Sequence, residues 1–212
     1  MSSLSWKHHV RSINPTAEKL FKSRTREEFL DAAEDVIARV VQRMESSRAT
    51  FRKLDERDLS NLIVQMLGDL VPAEAESHQN GHVDVTIRHR LGFVHLTECK
   101  IWNGTRWHEE GMRQLLRYAT GREGRTLCLA FFIRHKRMVY LLDRLRAQLG
   151  PAADPPALGL AVDHRILPGA FLTLHEHASG SRLGIVHAGC YLWEEGIEDL
   201  GEGDYGGKET SN

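Results

Sequence analysis

The chain has 212 residues, 41% hydrophobic and 27% charged, an ordinary globular composition that supplies one good core. No stretch approaches the ~20 apolar residues a membrane span needs, and the N-terminal MSSLSWKHHV has no continuous apolar run, so neither a membrane-spanning nor a secreted protein is expected. The formal net charge of -1 hides an uneven distribution: eleven Lys or Arg stand against four Asp or Glu from Lys100 to Leu149, and seven acids against one Lys from Glu194 to Asn212.

Residues 1–14 read as irregular. Thr25 is placed to cap a helix through REEFLDAAEDVIARVVQRMESS, where Phe29, Ala33, Ile37, Val40 and Val41 recur at helical spacing. Asp55 is placed to cap a second helix, ERDLSNLIVQMLGDLV, with Leu59, Leu62, Ile63, Met66 and Leu67 as its apolar stripe and Pro72 at its end. Two strands follow at about 82–89 and 93–100, then a helix at about 107–121, the strand TLCLAFFI and a helix through about residue 148. GPAADPPALG reads as a loop, GAFLTLHEHA and RLGIVHAGCYLW as a hairpin, and GEGDYGGKETSN as disordered. This order predicts an α/β fold, a mixed central β-sheet flanked by helices. Its expected parts are a helical N-terminal extension (1–50), a main domain (51–193) and an acidic Gly-rich disordered tail (194–212).

The two charges at the end of the strand VHLTECKI call for an explanation, because charged side chains are seldom buried without a partner. With Arg90-Leu91-Gly92 as a three-residue hairpin loop, and Gly92 supplying its left-handed conformation, His89 faces Phe93 and Asp84 faces Glu98. Alternation then puts Glu98 and Lys100 on one face and Val83, Val85, Ile87, Phe93 and Cys99 on the other, in the core. Two carboxylates that close repel each other unless a proton or a cation intervenes, which points to a divalent ion with hard oxygen ligands, Mg²⁺ with Mn²⁺ able to substitute.

Asp84, then Glu98-Cys99-Lys100, with an acid-bearing helix before and Gln114-x-x-x-Tyr118 on a helix after, resembles the PD-(D/E)xK superfamily of restriction-endonuclease-like nucleases. ECKIWNGTRWHEEGMRQLLRYAT is especially similar to an ECK-aromatic segment and QLL-x-Y helix of bacterial members, and the resemblance covers about residues 51–133. It implies a restriction-endonuclease-like domain and a Mg²⁺-dependent nuclease, a phosphodiester hydrolase with DNA favoured over RNA. In that family the roles would fall to Asp84 and Glu98 as metal ligands, the Cys99 carbonyl as a third, and Lys100 as the residue that activates or orients water. Glu56, with Asp58 as its competitor, would be the acid of the preceding helix, and Gln114 and Tyr118 would lie near the site. Val83 stands where the named pattern has Pro, a common variation.

Chemistry accords with those roles: phosphodiester hydrolysis needs an activated water, charge stabilisation on the phosphate and an eased leaving oxygen, all of which a divalent metal can supply. An unperturbed Lys is a poor base, so Lys100 is expected to act as a cation that orients water and steadies the phosphate. Beside such a site Arg106, Arg113, Arg117 and Arg122, with Arg134, Lys136 and Arg137 further on, become phosphate contacts. The competing reading is a nucleic-acid-binding or assembly module of the same fold with lost or partner-activated hydrolysis; a homo-oligomer remains open. Glu56 reads equally as a first-turn acid complementing the helix dipole. His175, His177, His187 and Cys190 are zinc-ligand types, but His187 and Cys190, three apart on a strand, point to opposite faces, so paired strand residues are expected instead. Cys99, Cys128 and Cys190 each sit in an apolar run, as reduced core thiols of a cytoplasmic protein would.

Overall fold

The computed structural model describes residues 15–68, 73–77 and 83–201, with the backbone alone at residue 16 and residues 73–77. The expected irregular 1–14, the helix end at Pro72 and the disordered stretch after residue 201 lie outside them. Six helices are described: α1 (Pro15–Lys22), α2 (Arg26–Ser46), α3 (Arg48–Phe51), α4 (Glu56–Gly68), α5 (Thr105–Tyr118) and α6 (Met138–Gln148). Seven strands accompany them: β1 (Ala73–Ser77), β2 (Val83–Arg88), β3 (Val94–Ile101), β4 (Arg125–Phe132), β5 (Val162–Asp163), β6 (Phe171–Glu176) and β7 (Arg182–Tyr191).

The strands form one mixed sheet in the order β1-β2-β3-β4-β7-β6-β5. β3, β4 and β7 run parallel in the middle, and every other neighbouring pair is antiparallel. The parallel step from β3 to β4 requires a crossover, and α5 makes it. β4, covered on both faces, is buried from Thr126 to Phe132, as a central parallel strand should be. Leu127, Leu129 and Phe131 pack into an apolar cluster with α1, α2 and α4. Cys128, Ala130 and Phe132 pack into a second cluster with α5 and α6. The architecture is a three-layer α/β/α arrangement.

The cap predicted at Thr25 forms, its hydroxyl accepting from the Glu28 amide at 3.2 Å. Asp55 likewise accepts from the Asp58 amide at 2.8 Å. The helix expected as an extension shares the main core: Phe29, Ala33, Val36, Ile37, Val40 and Met44 of α2 line the first cluster. It is also fixed electrostatically. Fully buried Glu34 accepts from Arg125 Nε at 2.6 Å and lies 3.0 Å from His164 Nε2. Burial alone would raise its pKa, but hydrogen bonds from His164, His95 and Arg125 hold the carboxyl far below the usual range.

The acidic segment expected as disordered begins ordered. Arg52 pairs with Glu194 at 2.9 Å, the Leu200 amide donates to the Arg134 carbonyl, and Gly201 O lies 3.0 Å from His135 Nδ1. β1 and β5 were not expected; AEAES alternates only Ala with Glu and holds no β-branched or aromatic residue, and β5 is only a dipeptide. No described helix is long and apolar enough to cross a membrane.

Candidate functional site

The hairpin loop forms as the sequence predicts, with Gly92 at φ 84°, the His89 amide donating to Phe93 O at 2.9 Å and the Gly92 amide donating to His89 O. The register Val85↔Thr97, Thr86↔Leu96, Ile87↔His95 places Asp84 opposite Glu98 one step further on. There the ladder opens, and Asp84 Oδ2 accepts the Cys99 amide at 2.7 Å. Two residues along the same edge, the Ile101 amide donates to Glu56 Oε2 at 2.9 Å. Two carboxylates therefore take two successive β3 amides that need partners, which fixes both acids against the strand end. Because a residue's N–H and C=O point to the same side of a strand, the Cys99 carbonyl also faces the Asp84 side.

Lys100 ties the group together. Its Nζ lies 3.0 Å from Glu98 Oε1 and 3.1 Å from Glu56 Oε1, so a residue 44 positions away joins the strand pair. Glu56 is the acid recruited; Asp58, its sequence competitor, instead gives its amide to the cap. Glu98 is 2% exposed, and its Oε2 is buried without a hydrogen-bond partner among the described residues. Burial first, and then the charge of Asp84, push its carboxyl up to about 8 despite Lys100. Burial would lower the Lys100 pKa, but Glu98 and Glu56 outweigh it and hold the ammonium charged above the usual lysine range.

The face assignment holds for β3: Glu98 and Lys100 lie under α5, whereas Cys99 packs in the first cluster with its thiol pKa raised by burial. Val85 and Ile87 share that cluster and Phe93 packs against it, but Val83 belongs to the second. Val83 lies beyond the β2–β3 ladder and is paired with Ser77 of β1 instead. Gly111 brings α5 down onto the site: a Cβ there would stand 3.0 Å from Cys128 Sγ, 3.2 Å from Lys100 Cγ and 3.6 Å from Glu98 Cγ. Gly111→Ala should therefore destabilise by about 1 kcal/mol in urea unfolding although Ala is the better helix former, because overpacking outweighs the propensity gain. A stabilised variant would show that α5 can lift without cost. Gln114, one turn on along the same helix face, has a buried Oε1 with no partner among the described residues, and Tyr118 packs against the second cluster.

Of the expected phosphate contacts, Arg113 pairs with Glu110 at 2.9 Å and with Asp154, and Arg117 with Glu110, so both are engaged within the fold. The zinc-type residues do not converge: Cys190 lies in the first cluster, while His177 Nε2 bonds Ala119 O. His175 and His187 instead join a buried chain that sequence reading missed. His175 Nδ1 lies 2.9 Å from Pro156 O, and Thr173 Oγ1 lies 2.7 Å from both His175 Nε2 and His187 Nε2. His187 Nδ1 is 2.9 Å from His108 Nε2, and His108 Nδ1 is 3.8 Å from Cys128 Sγ. One direction satisfies every ring: the Pro156 carbonyl must accept from His175, so each earlier donor follows in turn back to the Cys128 thiol, with all three imidazoles neutral.

Among the described residues no three His, Cys, Asp or Glu side chains form a ready-made metal cluster. The oxygens of Asp84 and Glu98 with the Cys99 carbonyl are nevertheless a hard donor set, and a buried, unpartnered Glu98 oxygen is the kind of atom a cation satisfies. No protein-family model, curated protein or solved structure matches the chain, so the residues themselves must carry the functional reading.

Proposed function

We propose that the protein is a divalent-metal-dependent nuclease of the restriction-endonuclease-like kind, hydrolysing phosphodiester bonds in DNA. The observation that carries this reading is the meeting of Asp84 and Glu98 across β2 and β3, with Lys100 between Glu98 and Glu56 and Glu98 Oε2 buried and unpaired. The succession α4, β1, β2, β3, α5, β4, with its acids on α4, β2 and β3, supports the same fold assignment. Asp84, Glu98 and the Cys99 carbonyl would hold Mg²⁺ or Mn²⁺, which when bound supplies Lewis-acid charge for the phosphate and makes water a better nucleophile. Lys100, held charged by its two carboxylate neighbours, orients the water and balances the phosphate charge; it is not the base. Glu56 positions Lys100, and the Gln114 carboxamide adds a polar group on the helix that covers the site. The three buried free thiols accord with a cytoplasmic setting.

One observation favours a second reading, a binding or assembly module whose hydrolysis is lost or switched on by a partner. Asp84 and Glu56 already serve as acceptors for strand amides, and Lys100 already occupies Oε1 of Glu98. Incubation of the purified protein with plasmid separates the two: cleavage with Mg²⁺ or Mn²⁺, little with Ca²⁺ and none in EDTA supports the nuclease, and intact plasmid under all conditions supports the module.

Metal affinity should depend on pH in a defined direction. Glu98 must lose its proton to act as a ligand, and its carboxyl titrates at about 8. Mn²⁺ affinity measured by calorimetry should rise about tenfold per pH unit below about pH 8 and level off above it. A flat profile would mean that Glu98 is not a ligand.

A further inference from the structure

Because β3, β4 and β7 are parallel, their C-terminal ends share one edge of the sheet, and the candidate site lies at that edge. A groove of about 630 Å³ opens there beside Glu56 and Ile101, lined also by Lys53, Asn103, Trp107 and Arg134. Trp107, on the first turn of α5, is 46% exposed. Neither Lys53 nor Arg134 has an ion-pair partner among the described residues, whereas Arg52 in the same wall is occupied by Glu194. The loop that carries Arg134 continues through Lys136 and Arg137 into a second groove of about 690 Å³, lined by Tyr140, Tyr191 and Arg48 and also by the acids Glu45 and Asp143. Arg137 lies 4.2 Å from the Tyr140 ring and Arg48 6.0 Å from the Tyr191 ring in this groove, and Lys136 lies 5.2 Å from the ring of Trp193, which is outside its lining. Two strand spacings, about 10 Å, separate β3 from β7, and residues 134–137 lead from the first groove to the second, so a strip of mixed cations, rings and acids leads from the site.

We propose that this strip binds a DNA strand with unpaired bases, which reaches the site with one base stacked on Trp107 and its phosphates along Lys53, Arg134 and Lys136. An exposed indole beside Lys53 and Arg134 is a poor match for duplex DNA, whose bases are already stacked on each other and offer no free face. An unpaired strand offers both a face for the ring and phosphates for the cations, and base–aromatic stacking adds affinity without sequence preference. Asp55 and Glu56 also line this groove and repel phosphate, so the phosphates are expected along its Lys53 and Arg134 side. What happens to the strand at Lys100 rests on the nuclease reading; its binding does not.

The test is fluorescence anisotropy of the full chain in EDTA with labelled oligothymidylate, a DNA duplex of the same length and oligouridylate. Oligothymidylate should bind at least about tenfold tighter than the duplex, and Trp107→Ala should weaken it by roughly five- to a hundredfold with Trp107→Phe near wild type and duplex binding unchanged. Arg134→Ala with Lys136→Ala should reduce the slope of log affinity against log salt by about 1.4 for the single strand. Equal binding of duplex and single strand, or no effect of Trp107→Ala, overturns the proposal even if plasmid is cleaved. Tighter binding of oligouridylate overturns the choice of DNA. Ring-dependent binding of oligothymidylate by a protein that cleaves nothing leaves the strip standing and defeats the nuclease reading alone.

Discussion

Glu98→Gln is expected to abolish metal-dependent cleavage while making the folded protein more stable. At neutral pH the unfolded chain carries an ionised glutamate, whereas the folded site raises this carboxyl to about 8. A carboxyl raised on folding contributes stability that is complete below its unfolded value and lost as pH rises through the folded one. Between about 4.5 and 8 each pH unit costs about 1.4 kcal/mol, which amounts to about 3 kcal/mol at pH 7 for a side chain this buried. Gln carries no charge to bury and can still accept from Lys100, so urea unfolding near pH 7 should show a gain of about 1–3 kcal/mol. The same change removes an anionic ligand beside Asp84, and cleavage at limiting Mg²⁺ should fall by about a hundredfold or more. Stability gained with function lost marks a site strained for chemistry. If the Glu98–Lys100 pair were only structural, Glu98→Gln would lower stability; if that variant cleaved at the wild-type rate, the metal reading would fail.

The second large effect is a loss of stability in mild acid, carried by the buried imidazole chain. Burial lowers the His108 pKa to about 3, and it lowers His187 and His175 in the same direction. An imidazole depressed on folding contributes stability that is present above its unfolded value of about 6.5 and is lost as pH falls, since only the unfolded chain can take the proton. By linkage His108 alone accounts for about 2 kcal/mol between pH 7 and about pH 5. Glu98 acts in the opposite sense over that range, so wild type should show a blunted loss and Glu98→Gln the full one, at least about 2 kcal/mol in urea unfolding. Glu34, lowered by its own partners, enters only below about pH 4.5. Unchanged stability of the Glu98→Gln variant at about pH 5 would mean that the chain takes up protons while folded, contrary to its fully bonded neutral arrangement.

What the sequence determined by itself is local. Apolar periodicity specified α2 and α4, Thr25 and Asp55 specified their starts, and the three-residue loop ending at Gly92 set the register that brings Asp84 opposite Glu98. These features depend on residues within one helix or one hairpin, where spacing translates directly into geometry. Tertiary structure alone decided the rest. Glu56 and Asp58 occupy the same helical turn and differ only in which of them the packing of α4 turns toward Lys100. His108 and His187 meet across 79 positions, and Glu34 gathers Arg125 and His164 across 91 and 130. Burial, which raises Glu98 and lowers His108, belongs to the packed layers and not to either residue or its neighbours in the chain. The sequence could therefore name the carboxylates and the lysine, but only the folding of α5 and α4 over the end of β3 turns them into one interacting group around a buried Glu98, because desolvation and through-space charge leave no periodic trace in the order of residues.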